Sequence, residues 1–376
     1  MSLQGKAALG KLADLLERNG IDLEDVGRIS KVSAWTGFYK DADGEAQTVD
    51  MAGIQFSPAW EQGPAWPVIQ PAKPTVVKPL ASTKRKTSTS SWKSAVVLPD
   101  PQIGYWRHVD TDTLDPFHDE AAMAIAVGIV ADVNPDLIVL LGDVLDLPAW
   151  SRFTQEPAFA FTTQEAIDRT HLWLAELRAN APDARIVYIE GNHDRRLRKA
   201  IVDNAKEAFG LRQAATTPST WPVMSIPHLL RLEELKVEYV DAYPAGVFWV
   251  NQNLACIHGE KLKPSQVVDD ERVSIIQGHV HRIAMQHKTR RVFGGAKTMF
   301  AATPGCLCRV DGAVPSTKGS TDSFGRPVPR AEDWQQGLAV VQYEEGDGRF
   351  TYEQVCIFDG WARFRDKEYG GVETAA

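Results

Sequence analysis

The chain has little cysteine and no long apolar run. These two features argue against a disulfide-rich secreted protein and against a membrane-spanning one. Only four of its 376 residues are cysteine, and their number and spacing do not suggest a disulfide framework. The longest apolar stretch, Ala121 to Ala131, is too short to cross a bilayer and is followed by Asp132. The first residues lack the apolar core of a signal peptide. The sequence therefore predicts a protein of a reducing cytoplasm with no membrane partner.

Acidic residues are missing from one segment although the net charge of the chain is −8. Residues 71–93 carry six Lys or Arg and no Asp or Glu, and residues 82–91 contain no apolar side chain. Such a stretch cannot bury enough surface to offset the entropy of ordering. We therefore expect a flexible basic linker over residues 61–93, either a solvated spacer or a tether for nucleic acid. The main domain would occupy residues 94–376.

The first 60 residues are expected to form a small α+β module. Leucines at helical spacing predict a helix over residues 5–19, and a second helix is predicted over residues 21–32. Residues 35–58 alternate loosely around Asp43-Gly44, which favours a β-hairpin. DNA binding and docking to a protein partner both remain open for residues 1–60.

The main domain alternates apolar runs with amphipathic stretches. Runs of Val, Ile and Leu at residues 95–98, 137–141, 186–189, 254–257 and 273–276 are typical of buried strands in an α/β sheet. Helices are predicted over residues 119–133, 163–179, 194–209 and 227–235, and later strands over residues 283–287, 299–302, 338–343 and 351–358. Ligands of α/β sheets collect at the carboxyl ends of the strands.

Polar side chains follow each of the five runs. The segments are Asp100-Pro101-Gln102, Gly142-Asp143-Val144-Leu145-Asp146, Gly191-Asn192-His193-Asp194, His258-Gly259 and Gly278-His279-Val280-His281. Carboxylate and amide oxygens together with imidazoles are the ligands that two divalent cations need. The sequence therefore predicts a two-metal site at one edge of the sheet.

In this order the five segments resemble the calcineurin-like metallophosphoesterase superfamily, whose pattern is D-x-H, G-D-x-x-D, G-N-H-[DE], H and G-H-x-H. The first segment departs from the pattern because Gln102 stands where the family usually has a histidine. This glutamine variant is similar to that of phosphoesterases encoded by bacteriophages. The resemblance implies an α/β fold, a four-layer α/β/β/α metallophosphoesterase sandwich.

The resemblance also implies roles for single residues. One metal would be held by Asp100, Gln102, Asp143 and His281, and the other by Asp143, Asn192, His258 and His279. His193 would protonate the leaving oxygen, and Asp194 would hold its ring. Asp146 would orient its neighbours. Two alternatives stay open for Gln102, a weak ligand or a weakened first site, and two for His118, a place beside Gln102 or the exposed start of a helix.

The function that follows is a dinuclear metal-dependent phosphoesterase in a bacterial or phage-infected cell. The basic linker favours a phosphodiester of nucleic acid or a nucleotide as substrate, so a nuclease or phosphodiesterase is expected. The alternatives are a phosphomonoesterase or protein phosphatase, and a catalytically weak scaffold suggested by Gln102. An oxygen-rich first site suits Mn²⁺ or Mg²⁺ better than Zn²⁺. We expect two divalent ions with Mn²⁺ as the favoured ion, and Mg²⁺, Fe or Zn²⁺ as alternatives.

Overall fold

The computed structural model describes residues 29–40, 46–56, 77–80, 91–108, 111–152, 157–217, 219–271, 273–292, 294–315, 320–321, 327–328 and 330–370. The chain divides into two compact units, residues 1–76 and residues 77–376. The predicted helix over residues 5–19 and most of the predicted linker lie outside the described residues.

The strands are β1 (Ile29–Lys40), β2 (Ala46–Phe56), β3 (Trp92–Leu98), β4 (Tyr105–His108), β5 (Thr113–Pro116), β6 (Leu137–Leu140), β7 (Arg185–Ile189), β8 (Val237–Val240), β9 (Val247–Asn251), β10 (Leu254–Ile257), β11 (Ser274–Gln277), β12 (Ile283–Val292), β13 (Gly295–Pro304), β14 (Ser320–Thr321), β15 (Pro327–Val328), β16 (Gln336–Glu344), β17 (Phe350–Ile357), β18 (Trp361–Phe364) and β19 (Lys367–Gly370). The α-helices are α1 (Glu120–Val133), α2 (Thr163–Asn180), α3 (Arg195–Asn204), α4 (Ile226–Leu229) and α5 (Pro264–Asp270).

The described part of the first unit is a β-hairpin. Strands β1 and β2 pair antiparallel, with Thr36 opposite Asp50 near the middle, so the predicted hairpin is confirmed. The second predicted helix is wrong over residues 29–32, which belong to β1. Ile29 and Val32 are β-branched residues, which favour a pleated strand, and pairing with β2 satisfies the backbone that a helix would otherwise satisfy.

The second unit contains two large sheets. One has six strands in the order β17-β16-β3-β6-β7-β8, and the other has five in the order β12-β13-β11-β10-β9. The inner faces bury one core that includes Val97, Val139, Val187, Cys256 and Ile276. Strand β3 begins at Trp92, which pairs with Glu344, so the sheet starts two residues before the expected domain boundary.

Helices cover both outer faces. Buried residues of α1, α2 and α3 pack on the six-stranded sheet, among them Ile129, Trp173 and Leu197. Val267 and Val268 of α5 pack on the five-stranded sheet. The layers follow the order helix, sheet, sheet, helix, which confirms the predicted α/β class and four-layer α/β/β/α sandwich.

Two helices lie close to their predicted ranges, since α1 was expected over residues 119–133 and α2 over residues 163–179. Asp119 caps α1, and its side chain accepts hydrogen bonds from the amides of Ala121 and Ala122. Helix α3 ends at Asn204, before the predicted residue 209, and a short 3₁₀ turn follows. Helix α4 spans four residues and not the predicted nine, because turns replace it after Leu229. No helix in the described ranges is long and apolar enough to cross a membrane.

Candidate metal centre

The predicted ligands meet because the strands that precede them run parallel. Strands β3, β6 and β7 are parallel neighbours in the six-stranded sheet, and β10 and β11 are parallel neighbours in the other. Their carboxyl ends therefore deliver the polar segments to the same edge of the sandwich. All seven predicted metal ligands follow these strands directly.

The backbone of this edge is strained. Five predicted ligands have positive φ angles, namely Asp100, Gln102, Asp143, His279 and His281. Each such residue costs about 1–3 kcal/mol and persists where its surroundings fix it, which is typical of functional sites. The approach is also close, since a Cβ added to Gly278 would lie 2.8 Å from Oδ2 of Asp100. The strain turns several donor side chains inward over a short length of chain.

Half of the site converges on the side chain of Asn192. Its Oδ1 lies 2.9 Å from Nε2 of His258 and 2.8 Å from Nδ1 of His279. Oδ2 of Asp143 lies 3.4 Å from the same Nε2. Together Asp143, His258 and His279 form one of the groups able to hold a metal ion among the described residues. Two oxygens and two imidazole nitrogens thus face a common point.

The hydrogen bonds of His258 test whether a cation fits this half. Its Nδ1 lies 2.8 Å from the carbonyl oxygen of Leu141, and because a carbonyl can only accept, Nδ1 carries the proton. In the neutral ring Nε2 is then an acceptor that faces the oxygens of Asn192 and Asp143. Burial works against the charged ring, yet the Asp143 carboxylate raises the pKa of His258 to about 9. The raised pKa means that Nε2 readily binds a second proton. A divalent cation would take the place of that proton on Nε2.

Asp143 lies between the groups of the centre. Burial opposes its ionisation, but the neighbouring His193 and His258 hold the pKa of Asp143 below its usual value. Its Oδ1 accepts a hydrogen bond from the backbone amide of His193 at 2.7 Å. Its carbonyl oxygen accepts one from the amide of Gln102 at 2.9 Å. This carboxylate is therefore charged and is tied by the backbone to both halves.

The other half contains Asp100, Gln102 and His281, all buried. Both carboxylate oxygens of Asp100 accept from the amide of His279, at 3.0 and 3.1 Å. Nε2 of His281 lies 3.4 Å from Oδ1 of Asp100 and 3.3 Å from Nε2 of Gln102. Oε1 of Gln102 is buried and has no hydrogen-bond partner in the described part of the chain. An unpaired amide oxygen beside a carboxylate and an imidazole fits a cation site.

The carboxylate that holds the His193 ring is Asp146, which corrects the expectation for Asp194. Nδ1 of His193 contacts Oδ1 of Asp146. Arg196 joins them, because it donates to Oδ1 of Asp146 at 2.6 Å and lies 3.0 Å from Nε2 of His193. The predicted orienting role of Asp146 agrees with these contacts.

Asp194 has a different set of partners. Its Oδ1 accepts from the amide of Leu145 at 3.1 Å and from the hydroxyl of Tyr188 at 2.6 Å, and its Oδ2 accepts from the amide of Gly191 at 2.8 Å. Burial and the nearby Asp143 raise the pKa of Asp194 to about 7, against these hydrogen bonds. Asp194 thus fixes the backbone of the Gly191 loop.

His118 lies just before α1, the place of one of the two alternatives. The residue is buried, unlike an exposed helix start. Its Nε2 lies 2.9 Å from Oε1 of Glu120, and its ring meets that of Tyr105 edge on. No contact with Gln102 is found among the hydrogen bonds of the described residues. His118 therefore stabilises the start of α1.

A basic cleft of about 1110 Å³ opens beside Asn192. Trp150 and Tyr243 also line it, and one carboxylate, Asp203, lies on its wall within the described ranges. The cations on its wall are Arg152, Arg195, Arg196, Arg198 and Lys199. Most of the wall, including four of the five cations, comes from α3 and the residues on either side of it, and residues 149–152, Met224 and Tyr243 complete it. Only the Arg195-Arg196 pair of this cleft was singled out from the sequence.

Fold and centre together define a metal-binding α/β sandwich beside a cleft rich in basic side chains. The chain belongs to the calcineurin-like phosphoesterase family, whose sequence profile matches residues 100–302. It is thus a hydrolase of phosphate esters, as predicted, and the family membership implies divalent metal ions.

Similar proteins include two from phages of Mycobacterium. The Gene 54 protein of phage L5 is 26% identical over 247 residues, covering 62% of this chain and 87% of that protein. The Gene 54 protein of phage D29 is 37% identical over 91 residues, 23% of this chain and about a third (35%) of that protein.

Two solved structures also match. The phosphoesterase Yfce from E. coli has 10% identity and a TM-score of 0.28, covering 69% of this chain and 98% of its own. The 5'-nucleotidase precursor from Thermus thermophilus has 14% identity and a TM-score of 0.30, covering 70% of this chain and 54% of its own.

Proposed function

We propose that the protein is a dinuclear, Mn²⁺-dependent phosphodiesterase that acts on nucleic acid or a nucleotide. The observation that carries the proposal is the basic cleft, which reaches the Asn192 half of the centre. Its volume is large for a single phosphate group. Arg196, Arg198 and Lys199 pair with Asp146, Glu190 and Asp203, but basic side chains still outnumber acidic ones on the wall, which suits a substrate with several negative charges. The phage relatives favour action inside an infected bacterial cell.

The proposed ligands are Asp100, Gln102, Asp143 and His281 for one ion, and Asp143, Asn192, His258 and His279 for the other. When bound, the ions would supply positive charge to the phosphoryl oxygens and activate the attacking water. The favoured ion is Mn²⁺ because Asp100, Gln102 and Asp143 offer oxygen ligands.

His193 would give a proton to the leaving oxygen from Nε2, while Asp146 holds the ring through Nδ1. A guanidinium nitrogen of Arg196 lies 3.0 Å from Nε2 of His193. Because a guanidinium can only donate, Nε2 is the acceptor in this contact. An incoming phosphate would compete for Arg196, because a guanidinium binds phosphate in two hydrogen bonds. Its displacement would leave Nε2 free to carry the proton.

A substrate panel with Mn²⁺ tests the proposal. It compares linear and nicked DNA, RNA, 2′,3′-cyclic and 3′,5′-cyclic nucleotides, and the nitrophenyl monoester and diester. We expect a nucleic acid or nucleotide diester to be the best substrate. Preference for the monoester or a phosphopeptide would support the phosphatase alternative, and absence of any hydrolysis would support a scaffold.

A charge variant separates the cleft from the chemistry. Arg195 donates a hydrogen bond to the carbonyl oxygen of Tyr243 on the cleft wall. Arg195→Gln should raise KM for an oligonucleotide several-fold, with little change for the small nitrophenyl diester, because only the longer substrate spans the wall. Arg349→Gln is the control, since Arg349 is exposed and pairs with Glu344 away from the cleft. Equal effects of the two variants would argue against recognition by the cleft.

A protein partner for residues 1–60 stays a prediction. Pull-down of host or phage proteins with the full chain, compared with residues 77–376, would test it.

A further inference from the structure

A second group of ligand atoms lies next to the Asp100 half of the centre. It consists of Cys306, Cys308 and His281, all buried, and one ligand atom from each lies within 4.8 Å of the other two. The segment follows β13. Isolated backbone β-bridges from Cys306 to Gln336 and from Cys308 to His118 fix its position. Its place is therefore determined by the fold and not by a loose loop.

The two sulfurs are adjacent to the hydrolytic centre through the backbone. The amide of Leu307, between the cysteines, donates to the carbonyl oxygen of Asp100 at 3.2 Å. His281 belongs to both groups, since its Nε2 lies 3.4 Å from Oδ1 of Asp100. The two groups thus share one imidazole.

An unpaired buried atom points to a ligand here. Nδ1 of His281 has no hydrogen-bond partner among the described residues, although the residue is only 4% exposed. Leaving such a nitrogen unpaired inside a protein is costly. The sulfur of Cys306 has weak partners, the nearest being the carbonyl oxygen of Gln335 at 3.5 Å. Two sulfurs and an imidazole with an unpaired atom form the ligand set of a thiophilic cation.

We propose that Cys306, Cys308 and His281 bind a thiophilic divalent cation. Zn²⁺ is the natural ion, and Cd²⁺ is a spectroscopic probe for it. Binding deprotonates both thiols, so one cation enters, two metal–sulfur bonds form and two protons leave. The set differs from the oxygen-rich hydrolytic ligands, and soft thiolates select Zn²⁺ over Mn²⁺.

One consequence rests on the proposed function. A cation held by the two thiolates would compete for His281, so excess Zn²⁺ should inhibit the Mn²⁺-activated enzyme. The inhibition should weaken in Cys306→Ser and Cys308→Ser.

The binding test uses the full chain after chelation and reduction, titrated with Cd²⁺. We expect the ultraviolet thiolate-to-cadmium band to saturate at one equivalent. Cys306→Ser and Cys308→Ser should each halve the band, because one of the two sulfur ligands is lost. Each should also weaken Cd²⁺ binding about 100-fold or more. Loss of a residue that only orients a metal ligand already costs about 10–100-fold in affinity. Cys356→Ser, a half-buried thiol elsewhere in the chain, should leave both unchanged.

Cadmium-113 NMR of the wild-type protein provides a measurement that needs no variant. A resonance at the position of two sulfur ligands and one nitrogen ligand supports the site. An absent band, a resonance without sulfur ligands, or equal loss in Cys356→Ser would overturn the proposal. These readouts do not depend on hydrolysis, so a failure of the proposed function would leave them interpretable.

Discussion

Asp146 offers the sharpest test of how the centre uses His193. Its side chain is fully buried, and its Oδ1 meets both Nδ1 of His193 and a guanidinium nitrogen of Arg196. Asp146→Asn keeps the shape of the side chain and removes the charge. The ring of His193 then loses the partner that fixes its orientation and its tautomer.

The expected magnitudes follow from these contacts. General acid catalysis is worth about 10²–10⁴-fold, and a misoriented acid should lose most of it, so kcat should fall about 10²-fold or more. Removing one partner of a buried ion pair costs about 3–5 kcal/mol. Arg196 keeps its hydrogen bond to the carbonyl oxygen of residue 146 and is partly exposed. The loss of stability should therefore lie near or below about 3 kcal/mol.

The assay is a double-mutant cycle on the nitrophenyl diester, with metal content measured in each variant. His193→Ala should keep its metal and lose about 10²-fold or more in kcat. Adding Asp146→Asn to it should cost little further, because residues that act as a unit are not additive. Asp194→Asn is the comparison, since Asp194 contacts the Gly191 loop and not the ring, and its effect should multiply with that of His193→Ala. Multiplying effects for Asp146 would refute its role through His193.

Other predictions concern the metal ligands and the start of α1. Asp143→Ala should lose both ions together with activity, measured by elemental analysis, and one retained equivalent with turnover would contradict a bridging role. Gln102→His should lower the Mn²⁺ concentration for half-maximal activity, because imidazole binds more strongly than an amide, and identical half-saturation would show that residue 102 does not touch the metal. Hydrogen bonds from Arg169 and His118 lower the pKa of Glu120, so this carboxylate stabilises the fold above its unfolded pKa and loses that effect as the pH falls. Glu120→Gln should therefore lower Tm more at neutral than at strongly acidic pH, and an equal loss at both would contradict the ion pair.

The placement of the centre could be predicted because strand ends determine it. Asn192 follows β7 of the six-stranded sheet and His258 follows β10 of the five-stranded sheet, and their side chains meet at 2.9 Å because the two sheets are stacked. The sequence predicted one edge of a single sheet, so the contribution of the second sheet corrects that expectation. Each ligand could be predicted from the sequence because it directly follows the apolar run of its own strand.

Contacts between segments far apart in the chain could not be predicted in this way. Sequence proximity favoured Asp194 as the partner of His193, but the strained turn after β6 turns Asp146 toward the ring instead. The approach of Cys306 to His281 depends on the pairing of β13 with β12, which no local spacing reveals. The length of α4 was overestimated because the apolar residues after Leu229, such as Leu230 and Leu232, are buried by turns and not by a longer helix.

Hydrolysis should depend on two divalent ions held at these strand ends. The most direct test is elemental analysis of chelated and Mn²⁺-reloaded protein, with phosphodiester hydrolysis measured on the same samples. We predict that the chelated protein is inactive, and that activity returns as two equivalents bind. Full activity in protein stripped of metal would contradict the two-metal centre.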